Sequence, residues 1–465
     1  MKRDLVESNH YHFIGIGGIG MSAIAMALLK KGFSISGSDL IENDQIFRIK
    51  ELGGFIFNIQ KESNINIIQK KYPNKKLIIV KSSAIKKDNK ELVFSYKKNL
   101  TVKHRSEILS LIMEDYISIG VAGSHGKTST STFLSTLFHK CTKNTSSIIG
   151  GVHPIYNSNS HVENTKYIVA EIDESDGSVC NYKSDLGIIT NIDYDHCDYY
   201  VDLKQVISSF KIFASNSKKL LINNDCQTSI ESISPSYKWS LKTIKNIDYA
   251  MIPKEINGSY TIADYYEKEK FIDTYNIPVP GLHNLSNITA AISACRINNI
   301  SCEEIKKNIQ YLELPQRRFE IRGEYDRRQI IDDYAHHPNE IEATIKLARL
   351  FLKKNNQNRL IVIFQPHRYS RVEKFLNEFA IELAKADLII ITDIYGAGEA
   401  NINKITSNLL TNKISKFNNN VMSLKNNYEI KQNFNDITKP KDLILNMGAG
   451  DCNNLWSILE EETYK

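Results

Sequence analysis

Residues 116–138 have the sequence YISIGVAGSHGKTSTSTFLSTLF, and this stretch decides the fold of the middle of the chain. It begins with an apolar run, Tyr116–Ala122, continues through a glycine loop and ends in Ser129–Phe138, which has helical composition. A strand, a tight loop and a helix in this order leave backbone N–H groups free to bind phosphate. The stretch therefore predicts an α/β domain with a phosphate-binding loop.

The loop itself, Gly123–Thr128, has the residue types that such a site requires. Lys127 can neutralise the charge of the β- and γ-phosphates of ATP, and the Thr128 hydroxyl can bind Mg²⁺. The loop departs from the strict G-x-x-x-x-G-K-[ST] pattern, because Val121 stands where the first glycine is expected. Since a strand and a helix still flank the loop, we expect ATP to bind there.

A second glycine loop lies near the N-terminus, between the apolar run His12–Ile16 and the helix-like segment Met21–Leu29. Asp39 follows the next apolar run, Phe33–Ser36, where an acidic side chain can reach a ribose. The pattern predicts a diphosphate ligand, and NAD, FAD and UDP-sugars all fit it. The glycines of this G-x-G-x-x-G loop are Gly15, Gly17, Gly18 and Gly20.

Apolar runs separated by segments of helical length continue along the chain, which is typical of parallel α/β sheets. Residues 234–276 lack this pattern, and we expect an irregular or antiparallel insert there. The sequence thus predicts an α/β fold of three consecutive α/β domains, at residues 1–108, 109–313 and 314–465. The remaining strand-like runs are Leu77–Val80, Tyr167–Ala170, Leu186–Thr190, Leu220–Asn223, Ile330–Asp332, Leu360–Phe364, Leu388–Thr392 and Leu443–Asn446.

A cluster of acidic residues, Glu171–Asp176, follows one of these runs, and His196 follows the next. Parallel strands end at one edge of a sheet, and Mg²⁺ prefers hard oxygen ligands beside nucleotide phosphates. We therefore expect Glu171 and His196 at a metal site. A solvated acidic loop and a structural histidine are the alternative interpretation.

Three more polar motifs follow predicted strands or open a helix. In Gly281–Asn287, the amide of Asn284 can pair with an adenine edge or cap the helix. The motifs Asp332–Pro338 and Gln365–Arg371 both contain histidines that can steer an amine or a carboxylate, and Gln365–Arg371 also contains arginine, which suits bidentate recognition of carboxylates. Polar loops that cap strand ends are the alternative. The candidate histidines are His336 and His367.

Composition limits the remaining possibilities. The 465 residues include 59 Lys and Arg against 53 Asp and Glu, and because the signs are interspersed they make no independent case for nucleic acid. Seven scattered cysteines without a C-x-x-C pair indicate a reducing compartment. Phe13–Leu29 is uncharged, but its glycines fit a strand, turn and helix better than a membrane span. With no segment resembling a signal peptide, we expect a cytoplasmic protein.

Taken together, the motifs resemble those of the Mur ligases in order and spacing, most closely the members that add L-alanine. The resemblance implies an N-terminal Rossmann-like domain that binds UDP, a central P-loop ATPase domain and a C-terminal Rossmann-like domain that admits the amino acid. It runs from His12 to Asp451. The motifs that carry it are Gly15–Gly20, Gly123–Thr128, Glu171–Asp176, Asp195-His196, Gly281–Asn287, Asp332–Pro338, Gln365–Arg371 and Gly448–Asp451.

The resemblance also implies a reaction, in which ATP with Mg²⁺ or Mn²⁺ drives the joining of L-alanine to UDP-N-acetylmuramate. A carboxylate is a poor electrophile because its leaving group would be oxide, whereas an acyl phosphate made with ATP can be attacked by the alanine amine. Catalysis would then consist mostly of positioning anions and neutralising their charge. We expect neither nucleic-acid binding nor membrane insertion, and the oligomeric state stays open.

Residue roles carry over from the family by matching motifs. The first glycine loop and Asp39 would bind the UDP substrate, and Ala335 stands where relatives more usually have glycine. Lys211 lies near the region where some Mur ligases carry a carbamylated lysine, and we assign it no such role. The ATP residues implied are Gly123, Ser124, His125, Gly126, Lys127, Thr128, Ser129, His283, Asn284, Asn287 and Arg318. The implied metal ligands are Thr128, Glu171 and His196. The implied amino-acid residues are Tyr334, His336, His367 and Arg371, and the catalytic residues are Lys127, His196, His336 and Arg371.

Several other functions compete with this interpretation. A ligase that joins UDP-N-acetylmuramate to a preformed tripeptide shares the first loop and the central motifs, although Gln365–Arg371 looks like the alanine-adding version. Folylpolyglutamate synthases lack the N-terminal glycine-loop domain. An NAD-dependent oxidoreductase would leave the P-loop and the acidic cluster unexplained. A UDP-sugar sensor would have no reason to keep Lys127 and Glu171.

Overall fold

The computed structural model describes Leu5 and residues Ser8–Glu460. The chain divides into two compact units. The first unit comprises the described part of Met1–Ile192 together with Val206–Trp239 and Ala290–Asn308. The second unit comprises Asp193–Gln205, Ser240–Thr289 and the described part of Ile309–Lys465.

The N-terminal part of the first unit is a five-stranded parallel sheet with the order β3-β2-β1-β4-β5. The helix that follows the central strand is buried continuously from Met21 to Leu28, and these residues are apolar apart from Ser22, as expected for a helix that is covered on all sides. The strands are β1 (Asn9–Ile14), β2 (Ser34–Ser38), β3 (Phe55–Phe57), β4 (Lys76–Lys81) and β5 (Thr101–His104). The helices are α1 (Ile19–Lys30), α2 (Asp44–Glu51), α3 (Glu62–Lys71), α4 (Lys90–Lys97) and α5 (Arg105–Met113).

Seven strands of the second sheet follow in the order β12-β11-β10-β6-β9-β7-β8, and among them only the pair β7–β8 is antiparallel. The strands are β6 (Ile117–Ala122), β7 (Thr145–His153), β8 (Ser158–His161), β9 (Tyr167–Glu171), β10 (Ser184–Ile189), β11 (Ser217–Asn223) and β12 (Tyr237–Ser240). The helices around them are α6 (Lys127–Thr142), α7 (Leu203–Ser215) and α8 (Gln227–Ser232), with a 3₁₀ turn at Ser178–Asn181.

An antiparallel meander follows in the second unit, inside the region where the sequence lacks an α/β pattern. Its strands are β13 (Tyr249–Ile256), β14 (Thr261–Glu267) and β15 (Lys270–Ile277). Two helices, α9 (Leu282–Ile297) and α10 (Cys302–Asn308), and a 3₁₀ turn, Ile309–Tyr311, complete this stretch of the chain.

The C-terminal sheet has the order β16-β17-β21-β18-β19-β20 and is parallel except for the hairpin of β16 and β17. Its central strand is buried along its whole length, as expected for a sheet covered on both faces. The strands are β16 (Glu320–Tyr325), β17 (Arg328–Asp333), β18 (Leu360–Phe364), β19 (Leu388–Ile391), β20 (Val421–Ser423) and β21 (Leu443–Met447). The helices are α11 (Pro338–Lys354), α12 (Tyr369–Lys374), α13 (Leu376–Leu383), α14 (Ser407–Ile414), α15 (Asn427–Ile437) and α16 (Leu455–Glu460), with a 3₁₀ turn at Asp451–Asn454.

The predicted α/β fold class is confirmed, and the three sheets fit three α/β domains. Most predicted strands are present within one or two residues, but β1 ends at Ile14 rather than Ile16 because the chain turns at Gly15. Among the described residues, no helix combines the length and the apolar composition needed to cross a bilayer. All seven cysteines are free thiols.

The buried centre of the C-terminal sheet gives a stability prediction. Ile363 in β18 is fully buried, so Ile363→Ala removes packed methyl groups and should lower the free energy of unfolding by about 2–5 kcal/mol. The matched change Ile321→Ala, at a residue 54% exposed in β16, should cost less than about 0.5 kcal/mol. Urea denaturation followed by circular dichroism measures both, and equal effects would contradict this description of the core.

Candidate active site

The loop between β6 and α6 has the backbone conformation of an anion site. Gly123 and Gly126 have φ angles of +138° and +79°, which favour glycine. Asn191, just after β10, accepts the Ser124 N–H with its carbonyl at 3.1 Å and the His125 N–H with its side-chain oxygen at 2.9 Å. No side chain caps the start of α6 and its first turn has no acidic residue, so that end of the helix favours an anion.

Lys127 is the first residue of α6 and follows this loop directly. Its ammonium group donates to the carbonyls of Gly123 at 2.7 Å and Ser124 at 3.1 Å, and to the Glu174 carboxylate at 2.9 Å. Burial opposes the charge on Lys127, but Glu174 and its acidic neighbours outweigh burial and raise the pKa of the amine. The loop therefore carries a fixed positive charge at the position where β- and γ-phosphates are expected.

Two oxygen donors meet beside the loop. The Thr128 hydroxyl donates to Glu171 at 3.0 Å, and the other carboxylate oxygen of Glu171 accepts the Gly150 N–H at 2.6 Å. Burial raises the pKa of Glu171, although Lys127 and these hydrogen bonds oppose the shift. A hydroxyl and a carboxylate at this separation are a donor set that fits Mg²⁺. Ser129 follows in α6 and is buried.

The first glycine loop is held by the end of β2. The N–H groups of Gly15 and Ile16 both donate to the Ser38 carbonyl, at 2.8 and 3.1 Å. Asp39 accepts the Gly17 N–H with one carboxylate oxygen at 2.8 Å and the Leu40 N–H with the other, also at 2.8 Å. Asp39 thus fixes the loop in addition to any contact with a ribose.

Helix α1 starts directly after this loop, at the position expected for a diphosphate. Gly18 precedes the helix and Gly20 lies in its first turn, and a Cβ atom on Gly18 would come within 3.5 Å of the Gly15 carbonyl. No side chain caps this end of the helix and its first turn contains no acidic residue. Its free N–H groups and the positive end of its dipole favour an anion.

The acidic cluster contributes to two places rather than one. Glu171 and Glu174 contact the predicted ATP loop, Gly123–Thr128, whereas Asp173 and Asp176 contact Arg105 at the start of α5. Burial opposes ionisation of Asp173, but the Arg105 guanidinium outweighs burial and lowers the pKa of this carboxyl to about 2. The cluster is therefore neither a solvated loop nor a set of four metal ligands.

In the second unit, His196 lies beside a buried ion pair. Arg371 donates to both carboxylate oxygens of Asp195, at 2.9 and 3.2 Å, and both side chains are 3% exposed. The guanidinium holds the pKa of Asp195 well below its usual range against the effect of burial. His196 has a φ of +53°, and its Nε2 lies 3.8 Å from Asp195.

The side chains predicted for the amino-acid pocket lie together at the ends of β17 and β18. The rings of His336 and Tyr334 are 5.3 Å apart, and those of His336 and His367 are 5.8 Å apart. Tyr395 stacks on His367 at 5.7 Å, and the Arg318 guanidinium lies 5.2 Å from the centre of the Tyr334 ring. Burial lowers the pKa of His336 to about 4 and that of His367 to about 2, so both rings are neutral at pH 7.

The predicted adenine motif forms the start of α9. Asn284 is buried and donates to the Pro280 carbonyl at 2.8 Å, and Asn287 is also buried, whereas His283 is exposed. The amide N–H of Asn284 thus stabilises the turn before the helix by donating to a backbone carbonyl, which differs from the helix cap that the sequence left open as the structural role.

Three residues that organise these sites have no such role in the sequence interpretation: Arg105, Asn191 and Tyr395. Arg105 opens α5 directly after β5, so its place at a strand end was a signal that could have found it. Asn191 follows β10 in the same way. Tyr395 lies in a loop, and no pattern in the sequence shows that it stacks on His367.

Three models of one protein family match successive parts of the chain. The model of the Mur ligase family catalytic domain matches residues 10–117, that of the Mur ligase middle domain matches residues 121–295, and that of the Mur ligase glutamate ligase domain matches residues 317–450. The chain belongs to the Mur ligase family.

Individual relatives cover nearly the whole chain. A UDP-N-acetylmuramate–L-alanine ligase of Prochlorococcus marinus subsp. pastoris is 58% identical over 99% of both chains. The crystal structure of the UDP-N-acetylmuramate–alanine ligase MurC of Thermotoga maritima has a TM-score of 0.82 at 23% identity, over 98% of this chain and 99% of that one. The crystal structure of a murein peptide ligase of Psychrobacter arcticus has a TM-score of 0.72 at 20% identity, over 97% of this chain and 98% of that one.

The buried histidine His336 makes stability depend on pH. Its pKa is about 4 in the folded chain and near 6.5 in the unfolded chain, so only the unfolded state takes up this proton between pH 6.5 and 4. The free energy of unfolding should therefore fall as the pH is lowered through this window, by at most about 1.4 kcal/mol per pH unit for this group. Urea denaturation of the wild type and of His336→Gln at several pH values measures the slope. The variant should show a smaller slope, and an unchanged slope would contradict the assignment.

Proposed function

We propose that this chain is an ATP-dependent ligase that joins L-alanine to the lactyl carboxylate of UDP-N-acetylmuramate and forms UDP-N-acetylmuramoyl-L-alanine. The observation that carries the proposal is the 58% identity, over 99% of both chains, to a protein named UDP-N-acetylmuramate–L-alanine ligase. The proposed reaction is a step of peptidoglycan precursor synthesis. Membership of the Mur ligase family excludes the oxidoreductase alternative, which assigns no function to the ATP loop.

The ATP loop supplies the charge needed for phosphoryl transfer. Lys127 stabilises the negative charge that develops between the β- and γ-phosphates, and the N–H groups at the start of α6 bind the phosphate oxygens. Glu174 keeps the Lys127 amine protonated and fixes its position before ATP arrives. This pre-organisation means that little rearrangement is required at the moment of transfer.

Thr128 and Glu171 are the residues of the first unit that would hold Mg²⁺, and their oxygen atoms, 3.0 Å apart, fit such an ion. The ion would neutralise phosphate charge when ATP is bound. His196 is proposed as a further ligand on the strength of the family motif, and its ring is held next to Asp195 by the buried pair with Arg371.

The proposed reaction has two steps. The lactyl carboxylate of UDP-N-acetylmuramate attacks the γ-phosphorus of ATP, which gives ADP and an acyl phosphate. The alanine amine then attacks the acyl carbon, and the tetrahedral intermediate expels phosphate and loses a proton from nitrogen. His336 and His367 are neutral at pH 7 and are therefore able to accept a hydrogen bond from that amine.

The same proposal assigns the parts of the chain. Residues 1–108 bind the UDP substrate, residues 109–313 bind ATP, and residues 314–465 bind the amino acid. Free cysteines fit a reducing compartment, and we place the reaction in the cytoplasm.

A substrate panel tests the proposal. With UDP-N-acetylmuramate and ATP, phosphate release should require L-alanine and should exceed the rate with a muramyl tripeptide by at least about tenfold. Release measured for L-alanine, glycine, L-serine and L-Ala-γ-D-Glu-diaminopimelate checks it. Turnover with the tripeptide alone would identify the recycling ligase instead, and no ATP turnover with any amine would exclude both.

The charge of Lys127 gives a second test. Lys127→Ala should lower kcat for ligation by at least about 100-fold, because a buried cation at the transferred phosphoryl group is lost. Binding of the UDP substrate, measured by calorimetry, should stay within about twofold of the wild type. Lys218→Ala, at an exposed lysine on β11, is the control and should keep full activity. Near-normal turnover of Lys127→Ala would refute the mechanism.

A further inference from the structure

Arg105 occupies an unusual position at the start of α1. It is the first residue of α5, yet its guanidinium reaches Gly20, in the first turn of α1. A Cβ atom on Gly20 would lie 3.0 Å from Nη1 of Arg105. The guanidinium therefore packs against this helix end at a place where residue 20 has no side chain.

A cation at this place is unfavourable by itself. The N-terminus of a helix carries partial positive charge, and Arg105 adds a full positive charge beside it. The first turn of α1 contains no acidic residue and no side chain caps it, so α1 itself supplies no compensation. An anion bound at the glycine loop would interact favourably with both the helix and the guanidinium.

Part of the guanidinium is already paired. Nη2 of Arg105 hydrogen-bonds Asp173 and lies 3.9 Å from Asp176, and the side chain is 13% exposed. The contacts of Arg105 within the described part of the chain include no hydrogen bond from Nη1, the nitrogen next to Gly20. A guanidinium can bind a carboxylate on one side and a phosphate oxygen on the other, because its five N–H groups form a planar fork.

The two aspartates also connect Arg105 to the ATP loop. Asp173 belongs to the same acidic segment, Glu171–Asp176, whose other carboxylates contact Lys127 and Thr128. The two aspartates that contact Arg105 therefore lie within a few residues, along the chain, of the two glutamates that contact the ATP loop.

We propose that Arg105 is a substrate-binding residue that donates from Nη1 to the diphosphate of the UDP substrate, while Asp173 and Asp176 hold its Nη2. The inference rests on the proposed function, because it takes the ligand of the first glycine loop to be a UDP compound. It adds to that site a cation from outside the loop. A purely structural ion pair between α5 and the acidic segment is the competing explanation.

Calorimetric titration of the full chain with UDP, with UDP-N-acetylmuramate and, separately, with ATP tests the inference. Arg105→Gln should lower the affinity for both UDP compounds by about tenfold or more and change the affinity for ATP by less than about twofold. UDP is included because it has the diphosphate and no carboxylate. Arg327→Gln, at an exposed arginine in the β16–β17 turn, removes the same charge and should change neither affinity.

Each other outcome has a definite meaning. Unchanged UDP affinity of Arg105→Gln would overturn the inference and leave the ligase proposal intact, and so would weaker binding of UDP-N-acetylmuramate alone. Failure of the wild type to bind either UDP compound would overturn both. If Arg105→Gln does not fold, as loss of ATP binding would reveal, Arg105→Lys decides. Lysine has one nitrogen in place of the two, Nη1 and Nη2, that would face the diphosphate and Asp173, so at least threefold weaker UDP binding is expected, and unchanged binding would overturn the inference.

Discussion

The structure depends on the free N–H groups at the starts of α1 and α6. Each helix begins directly after a parallel strand and a glycine loop, and neither has a capping side chain or an acidic residue in its first turn. Backbone donors in this state require an anion or water. Two polar residues of the first unit support these helix ends: Asp39 fixes one loop and Asn191 fixes the other.

The segment Glu171–Asp176 joins the two loops through charge. Glu174 fixes Lys127 at the ATP loop, and Asp173 fixes Arg105 at the first glycine loop. Because burial penalises unpaired charges heavily, each of these carboxylates keeps its cation in a defined place. Carboxylates of one short segment thus pair with the cations beside both glycine loops, which suits a reaction that must bring a sugar acid to ATP.

Much of this arrangement could be predicted from the sequence, and what could not has a physical cause. The strands that end in motifs were predicted because their apolar runs are continuous, as in β18. The start of β1 was missed because Asn9 and His10 are polar, yet both are buried and His10 is hydrogen-bonded to Ser36. Sequence spacing placed Thr128 near Glu171, but it could not show that Arg371 contacts Asp195, 176 residues away along the chain.

The central claim is that ATP activates a carboxylate by phosphorylation, and oxygen transfer tests it most directly. UDP-N-acetylmuramate with ¹⁸O in both oxygens of its lactyl carboxylate is converted with ATP and L-alanine in unlabelled water, and the released phosphate is analysed by mass spectrometry. We predict one ¹⁸O atom in each phosphate and one in each amide product. Phosphate without ¹⁸O would mean that ATP is hydrolysed by water, and it would contradict the account.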